Sequence, residues 1–231
     1  MIVQKHNHFL RYITQIEHAK LAASLLPHIH TYARLNSSIQ NQLKHACLHH
    51  DDGWLEFDTT PTFSNNTIIP LDFTQIPATQ HIQIWKKSRQ RIQNQLSLAK
   101  RLVCRHNIYL ANIRLSNTVE VSCKNKLAAF ITAEKLIEKT LKNSTLSTIS
   151  ESEILTVEHL LQLADWLSLA ACLNKPLSSD KFKYCLKTTQ YPEIKLTPRL
   201  SEFKIAFTIH TTEVNLKTTT KKQTKLTLTF N

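Results

Sequence analysis

The feature that most constrains this chain is a change of hydrophobic period at Pro176. Before it, apolar residues recur at helical spacing through several long windows. After it, FKYCLKTT, FKIAFTIHT, TEVNLKTT and TKLTLTF alternate apolar and polar residues and are rich in Thr, Phe, Val and Ile. A period near 3.6 belongs to amphipathic helices and a period of 2 to half-buried strands, and neither pattern can stand in for the other. Helical spacing covers most of the chain. The expected fold class is therefore mainly α, a helical bundle with a small antiparallel β-sheet of three or four strands. Two regions follow: 1–174, helical with an N-terminal hairpin, and 175–231, a basic β-rich appendage. Charge divides at the same place. The 231 residues carry 29 Lys+Arg and 17 Asp+Glu, a net of +12. From Lys175 onward there are eleven Lys+Arg and four Asp+Glu, so +7 lies in the last 57 residues.

Within the first region, Met1–Gln4 and Phe9–Ile13 read as a hairpin about the His6-Asn7-His8 turn, able to join the C-terminal sheet. Thr14 and Glu17 have capping-box spacing at the start of QIEHAKLAASLL. A second helix begins near Ser37 or Ser38, with Ile39, Leu43, Ala46 and Cys47 as its apolar stripe and His50 on the same face. Gly53 reads as its stop signal. Residues 54–77 contain Pro61, Pro70, Pro77 and Asn65-Asn66 and read as a long loop, a candidate lid. Helices are expected from Ala78, through Leu98, Leu102 and His106, over Asn125–Lys142, and after the polar stretch 143–150. The last, ESEILTVEHLLQLADWLSLAACL, is the most apolar and so the most central.

Composition removes several classes. Forty-two percent hydrophobic residues exclude a disordered chain, and a single glycine excludes glycine-rich phosphate loops and dinucleotide fingerprints. No apolar run approaches the roughly 18 residues that span a bilayer, and MIVQKHNHFLRYITQIEH lacks a signal-peptide core, so no membrane association is expected. Five cysteines without a C-x-x-C pair fit reduced thiols in a cytoplasmic protein. The basic tail lacks the aromatic ladder of single-strand binders, so the expected partner is a small anionic or phosphorylated substrate rather than nucleic acid.

The chemistry concentrates in His49-His50-Asp51-Asp52-Gly53-Trp54. Adjacent imidazole and carboxylate at a helix end can approach one cation. His18 falls on the apolar face of the first helix with Leu21, Ala22 and Leu25. Asp165 sits in the middle of the most apolar helix, where a carboxylate must be paired, hydrogen-bonded or metal-bound. His106 continues the Leu98–Leu102 face. Donors from four helices suit a metal site inside a bundle.

The order His18, His50-Asp51, Asp165 resembles the HD superfamily of metal-dependent phosphohydrolases, and H-D-D-G resembles the H-D-x-G doublet of its cyclic-dinucleotide phosphodiesterases. More closely, Gln15–Ala19 (Q-x-x-H-A), His50–Trp54 (H-D-D-G-W), Arg105-His106 and Asp165–Leu169 (D-x-L-S-L) are similar to a bacterial family of uncharacterised, HD-like proteins. The resemblance implies an HD-like helical bundle and a phosphohydrolase. His18, His50, Asp51 and Asp165 would hold one divalent or iron-type ion (Mn, Fe, Ni, Co or Zn), with His106 serving a second. Asp51 and Asp52 would be the catalytic carboxylates. Lys20, Arg105 and Trp54 would contact substrate. Two other readings share these residues: a di-iron oxygenase, and a non-catalytic scaffold acting as a binding module.

Overall fold

The computed structural model describes residues 1–63, 67, 69–144, 149–174, 177–179, 181, 182, 184–190, 193–197, 199, 200 and 204–230. Asn65, Asn66, Pro176 and residues 145–148 of the polar stretch 143–150 lie outside them. The hairpin forms as β1 (Ile2–Lys5) and β2 (Phe9–Ile13), and the helices follow as α1 (Gln15–Leu25), α2 (His30–Ala33), α3 (Ser37–His49), α4 (Leu55–Thr59), α5 (Ala78–Arg91), α6 (Ser97–Ser116), α7 (Val121–Ser144) and α8 (Glu151–Leu173). Local signals account for their ends. Asn36 accepts from the Ile39 amide at 2.9 Å. Ser150 and Glu153 close a reciprocal capping box at the start of α8. Thr14 accepts from the Glu17 amide, but the Glu17 carboxylate leaves the cap and accepts from the His210 amide at 2.8 Å. It thereby ties α1 to the sheet.

The sheet corrects the expected fold class. It is neither small nor wholly antiparallel, and the molecule is not an all-α bundle. Five C-terminal strands, β3 (Leu177–Ser179), β4 (Tyr184–Gln190), β5 (Glu193–Thr197), β6 (Ile205–Asn215) and β7 (Lys221–Phe230), join the hairpin in one seven-stranded mixed sheet of order β1-β2-β6-β7-β5-β4-β3. Antiparallel pairing of β2 with β6 admits the hairpin, and β5 pairs parallel to β7 through Glu193–Thr229 and Ile194–Phe230. The runs FKIAFTIHT and TEVNL both feed one eleven-residue strand, β6, over Ile205–Asn215. Alternation is a local property that marks a residue's face. It carries nothing about which strand comes alongside, so neither the parallel pair nor the strand count follows from it.

One apolar core crosses the 174/175 boundary. Ile2, Leu43, Leu102, Leu167, Ile209 and Leu228 belong to a single buried cluster. The sheet packs on α1 and α8 and leaves the interior ends of α1, α3, α6 and α8 free to meet one another. The described residues of 54–77 are more than a loop. They contain α4, a bridge between Phe63 and Pro70, and a short 3-10 turn capped by Asp72. No helix among the described residues is long and apolar enough to cross a membrane.

Candidate metal centre

Four helices each bring a donor to one point. His50 is the C-cap of α3, and its Nδ1 lies 2.7 Å from the Cys47 carbonyl, one of the acceptors a helix end leaves open. A carbonyl only accepts, so Nδ1 carries a proton and Nε2 is the nitrogen turned inward. Nε2 lies 3.3 Å from Asp165 Oδ1 and 3.4 Å from Asp51 Oδ2. His18, on α1, is held in the same sense. The Ser168 hydroxyl donates to the Asp165 carbonyl at 2.9 Å, which leaves Ser168 Oγ to accept from His18 Nδ1, also at 2.9 Å. His18 Nε2 then faces Asp165 Oδ1 at 2.9 Å and Asp51 Oδ2 at 3.6 Å. His106, on α6, sits edge-on to the His50 ring at 5.2 Å between centroids. Its Nε2 is 3.5 Å from Asp165 Oδ2, and neither of its ring nitrogens has a hydrogen-bond partner among the described residues.

Imidazole lone pairs and carboxylate oxygens thus converge in a buried place, an arrangement that only a cation neutralises. Without a metal ion, protons take that role. Burial pulls the His50 pKa down, but the Asp51 charge and the hydrogen bond to Asp165 outweigh it and push it up to about 9. Burial likewise works against ionised Asp165, yet bonds from His18 and His50 hold its carboxyl well below the usual range. Burial raises Asp51, and burial drives His106 down to about 3. His106 is therefore a neutral imidazole, the form that ligates metals. Ligand atoms of His18, His50 and Asp51 lie within 4.8 Å of one another, as do those of His50, His106 and Asp165. These buried groups can hold a metal ion. The two orphaned nitrogens of His106 and the outward bonds that orient His18 and His50 both fit that occupant.

The centre opens onto a cavity of about 230 Å3. His18, Asp51 and Asp165 reach it, Trp54, Phe73 and Trp85 wall it, and Arg114 adds a cation.

A family model described as "Protein of unknown function (DUF3891)" matches residues 1–228. The chain belongs to that family. No curated protein and no solved structure matches it.

For this DUF3891 member, the expected donors His18, His50, Asp51, His106 and Asp165 come together, and Trp54 lines the cavity. Three expected residues go elsewhere. Asp52 bonds to His49 Nδ1 at 2.8 Å rather than facing the cavity. Lys20 pairs with Glu17 at 2.6 Å on a groove between α1 and β6. Arg105 is held by Glu158 at 2.7 Å and by Glu138 and Glu151, which leaves it no free edge for an anion. A helix face explains the last case: position 105 lies one residue, about 100°, from His106. Ser168, Gln15, His81 and Arg114 were missed. Ser168 sits three residues beyond Asp165, one turn along α8, and Gln15 three before His18 on α1. Arg114 extends the i+4 row Leu98–Leu102–His106–Leu110 that the sequence already displays. His81 carried no signal, since nothing local says that α5 walls this cavity.

Gly53 changes meaning. No described glycine has positive φ, and a Cβ at Gly53 would lie 2.0 Å from the Ile84 carbonyl oxygen. Its amide donates to Ser88 Oγ at 2.9 Å. The residue is small because the turn after His50-Asp51 presses on the α5 backbone, not because a helix stop demands it.

Proposed function

We propose that the protein is a metal-dependent hydrolase of small phosphoesters. The observation that carries this reading is the convergence of three imidazoles and two carboxylates beside an aromatic-walled cavity. The chain order of these donors, His18, His50-Asp51, Asp165, resembles that of the HD phosphohydrolases and supports the same chemistry. His18, His50, Asp51 and Asp165 hold the ion, and His106 adds a further nitrogen. N and O donors suit Mn, Fe, Ni, Co or Zn. A divalent ion bound there supplies Lewis acidity and a water acidic enough to act as nucleophile near neutral pH. Asp51 turns Oδ2 toward the imidazoles, 3.4 Å from His50 Nε2, which places it to ligate the ion beside them. Ser168 and the Cys47 carbonyl keep His18 and His50 in the ligating tautomer. Trp54, Phe73 and Trp85 exclude bulk water. The cavity falls below the roughly 300–1,000 Å3 typical of drug-sized ligands, which favours a small substrate over a cyclic dinucleotide.

Elemental analysis of wild-type protein beside Asp51→Ala and Asp165→Ala, with phosphoester hydrolysis followed before and after chelation, tests the reading. Stoichiometric metal in the wild type, lost in both variants together with hydrolysis, is expected. Equal metal content in all three removes the site. Metal that is iron, redox-active and coupled to O2 consumption rather than hydrolysis replaces the hydrolase by an oxygenase.

A further inference from the structure

We propose that Arg114 selects the substrate, receiving an oxyanion at the end of the molecule opposite the scissile group. The proposal rests on the hydrolase reading and specifies its substrate: a compact, ring-sized phosphoester with an apolar body and a distal carboxylate or phosphate.

Arg114 differs from the other arginines removed from solvent. Arg11 pairs with Glu213, Arg89 with Glu134, Arg101 with Glu138 and Glu151, and Arg105 with Glu158. Arg114 makes no ion pair among the described residues. It donates instead to two neutral carbonyls, Thr74 O at 3.2 Å and Ile76 O at 3.0 Å. Those bonds fix the guanidinium without neutralising it and leave its remaining N–H donors for a ligand. A half-buried cation held in this way is set up for a bidentate contact with an oxyanion.

Its position gives the span. Arg114 follows His106 by eight residues on α6, roughly 12 Å along the axis at 1.5 Å per residue. The cavity wall is otherwise largely apolar, with Leu110, Ile113, Trp54, Phe73 and Trp85 beside the polar side chains of Gln15, Thr74, His81 and Asn117. Arg114 is the only Lys or Arg on the cavity wall among the described residues, and its far end carries the carboxylates of Asp51 and Asp165. A ligand matching this layout has a metal-seeking group at one end, an uncharged body, and an anion at the other.

The test measures binding of three non-hydrolysable probes to metal-loaded, full-length protein by calorimetry and tryptophan fluorescence. The probes are phenylphosphonate, 4-phosphonobenzoate and benzene-1,4-diphosphonate, the last two distinguishing a distal carboxylate from a distal phosphate. In wild type, at least one two-headed probe should bind roughly tenfold or more tightly than phenylphosphonate, the size of a charge-assisted hydrogen bond. Arg114→Gln should remove that advantage while phenylphosphonate affinity and metal content stay unchanged. Arg114→Lys, which keeps the cation but not the planar fork, should retain part of it and covers the case in which Arg114→Gln folds poorly. Equal affinity of all three probes for wild type, or an advantage that survives in Arg114→Gln, overturns the assignment. Phenylphosphonate binding that is identical with and without metal overturns the hydrolase reading instead, and the two results are read separately from the same samples.

Discussion

Individual residues at this centre are defined by which of their atoms have partners. His50 and His18 spend Nδ1 on bonds that point away from the cavity, and so present Nε2 inward. His81 shows the opposite use of burial. Its Nε2 donates to the Phe73 carbonyl at 2.9 Å, and Nδ1 has no partner among the described residues. Burial, aided by the Arg114 charge, pushes its pKa down to about 4. The unfolded chain binds the His81 proton at its ordinary value of about 6.5 and the folded chain resists it. The contribution to stability is therefore complete above about pH 6.5 and lost as pH falls from there toward 4, on the order of 3 kcal/mol in all. Denaturant unfolding of wild type and His81→Phe across that window should show a smaller acid-side loss in the variant. Parallel curves would mean that His81 titrates normally.

At the scale of elements, the centre depends on how α3 turns into the segment that meets α5. Asp51 can face α1 and α8 only if the next turn lies flat on the α5 backbone, and Gly53 is where it does so, with its amide on Ser88. Backbone, unlike a flexible side chain, has little room to yield. Gly53→Ala should therefore cost at least the upper part of the ~1–3 kcal/mol typical of overpacking, read from the urea midpoint. A change below about 0.5 kcal/mol would show that the turn can lift off α5 freely. The same element explains why Asp52 is not beside Asp51 in function. Its carboxylate reaches back to His49.

For the whole molecule, the question is whether helices and sheet are one cooperative unit. Glu17 bridges α1 to β6, and one apolar cluster runs from Leu167 to Leu228. The expectation is a single unfolding transition, with near-ultraviolet signals of Trp54, Trp85 and Trp166 coinciding with far-ultraviolet ellipticity. Two separated midpoints would show that the sheet melts alone.

Much of this was legible in one dimension. The apolar stripe Ile39, Leu43, Ala46 and Cys47 matches the buried face of α3, and Thr14 marks the start of α1, whereas the caps Asn36 and Ser150 were not singled out in the sequence. His18, His50, Asp51, His106 and Asp165 stand out because a polar donor on an apolar helix face is expensive unless it is satisfied. Helix spacing and capping act within a few residues, so the sequence alone determined them. The seven-stranded mixed sheet, the pairing of Arg105 with Glu158, the isolation of Arg114 and the approach of Gly53 to Ile84 were decided only by the tertiary structure. Each depends on which distant surface comes alongside, and that is settled by burial summed over the whole core rather than by any local spacing.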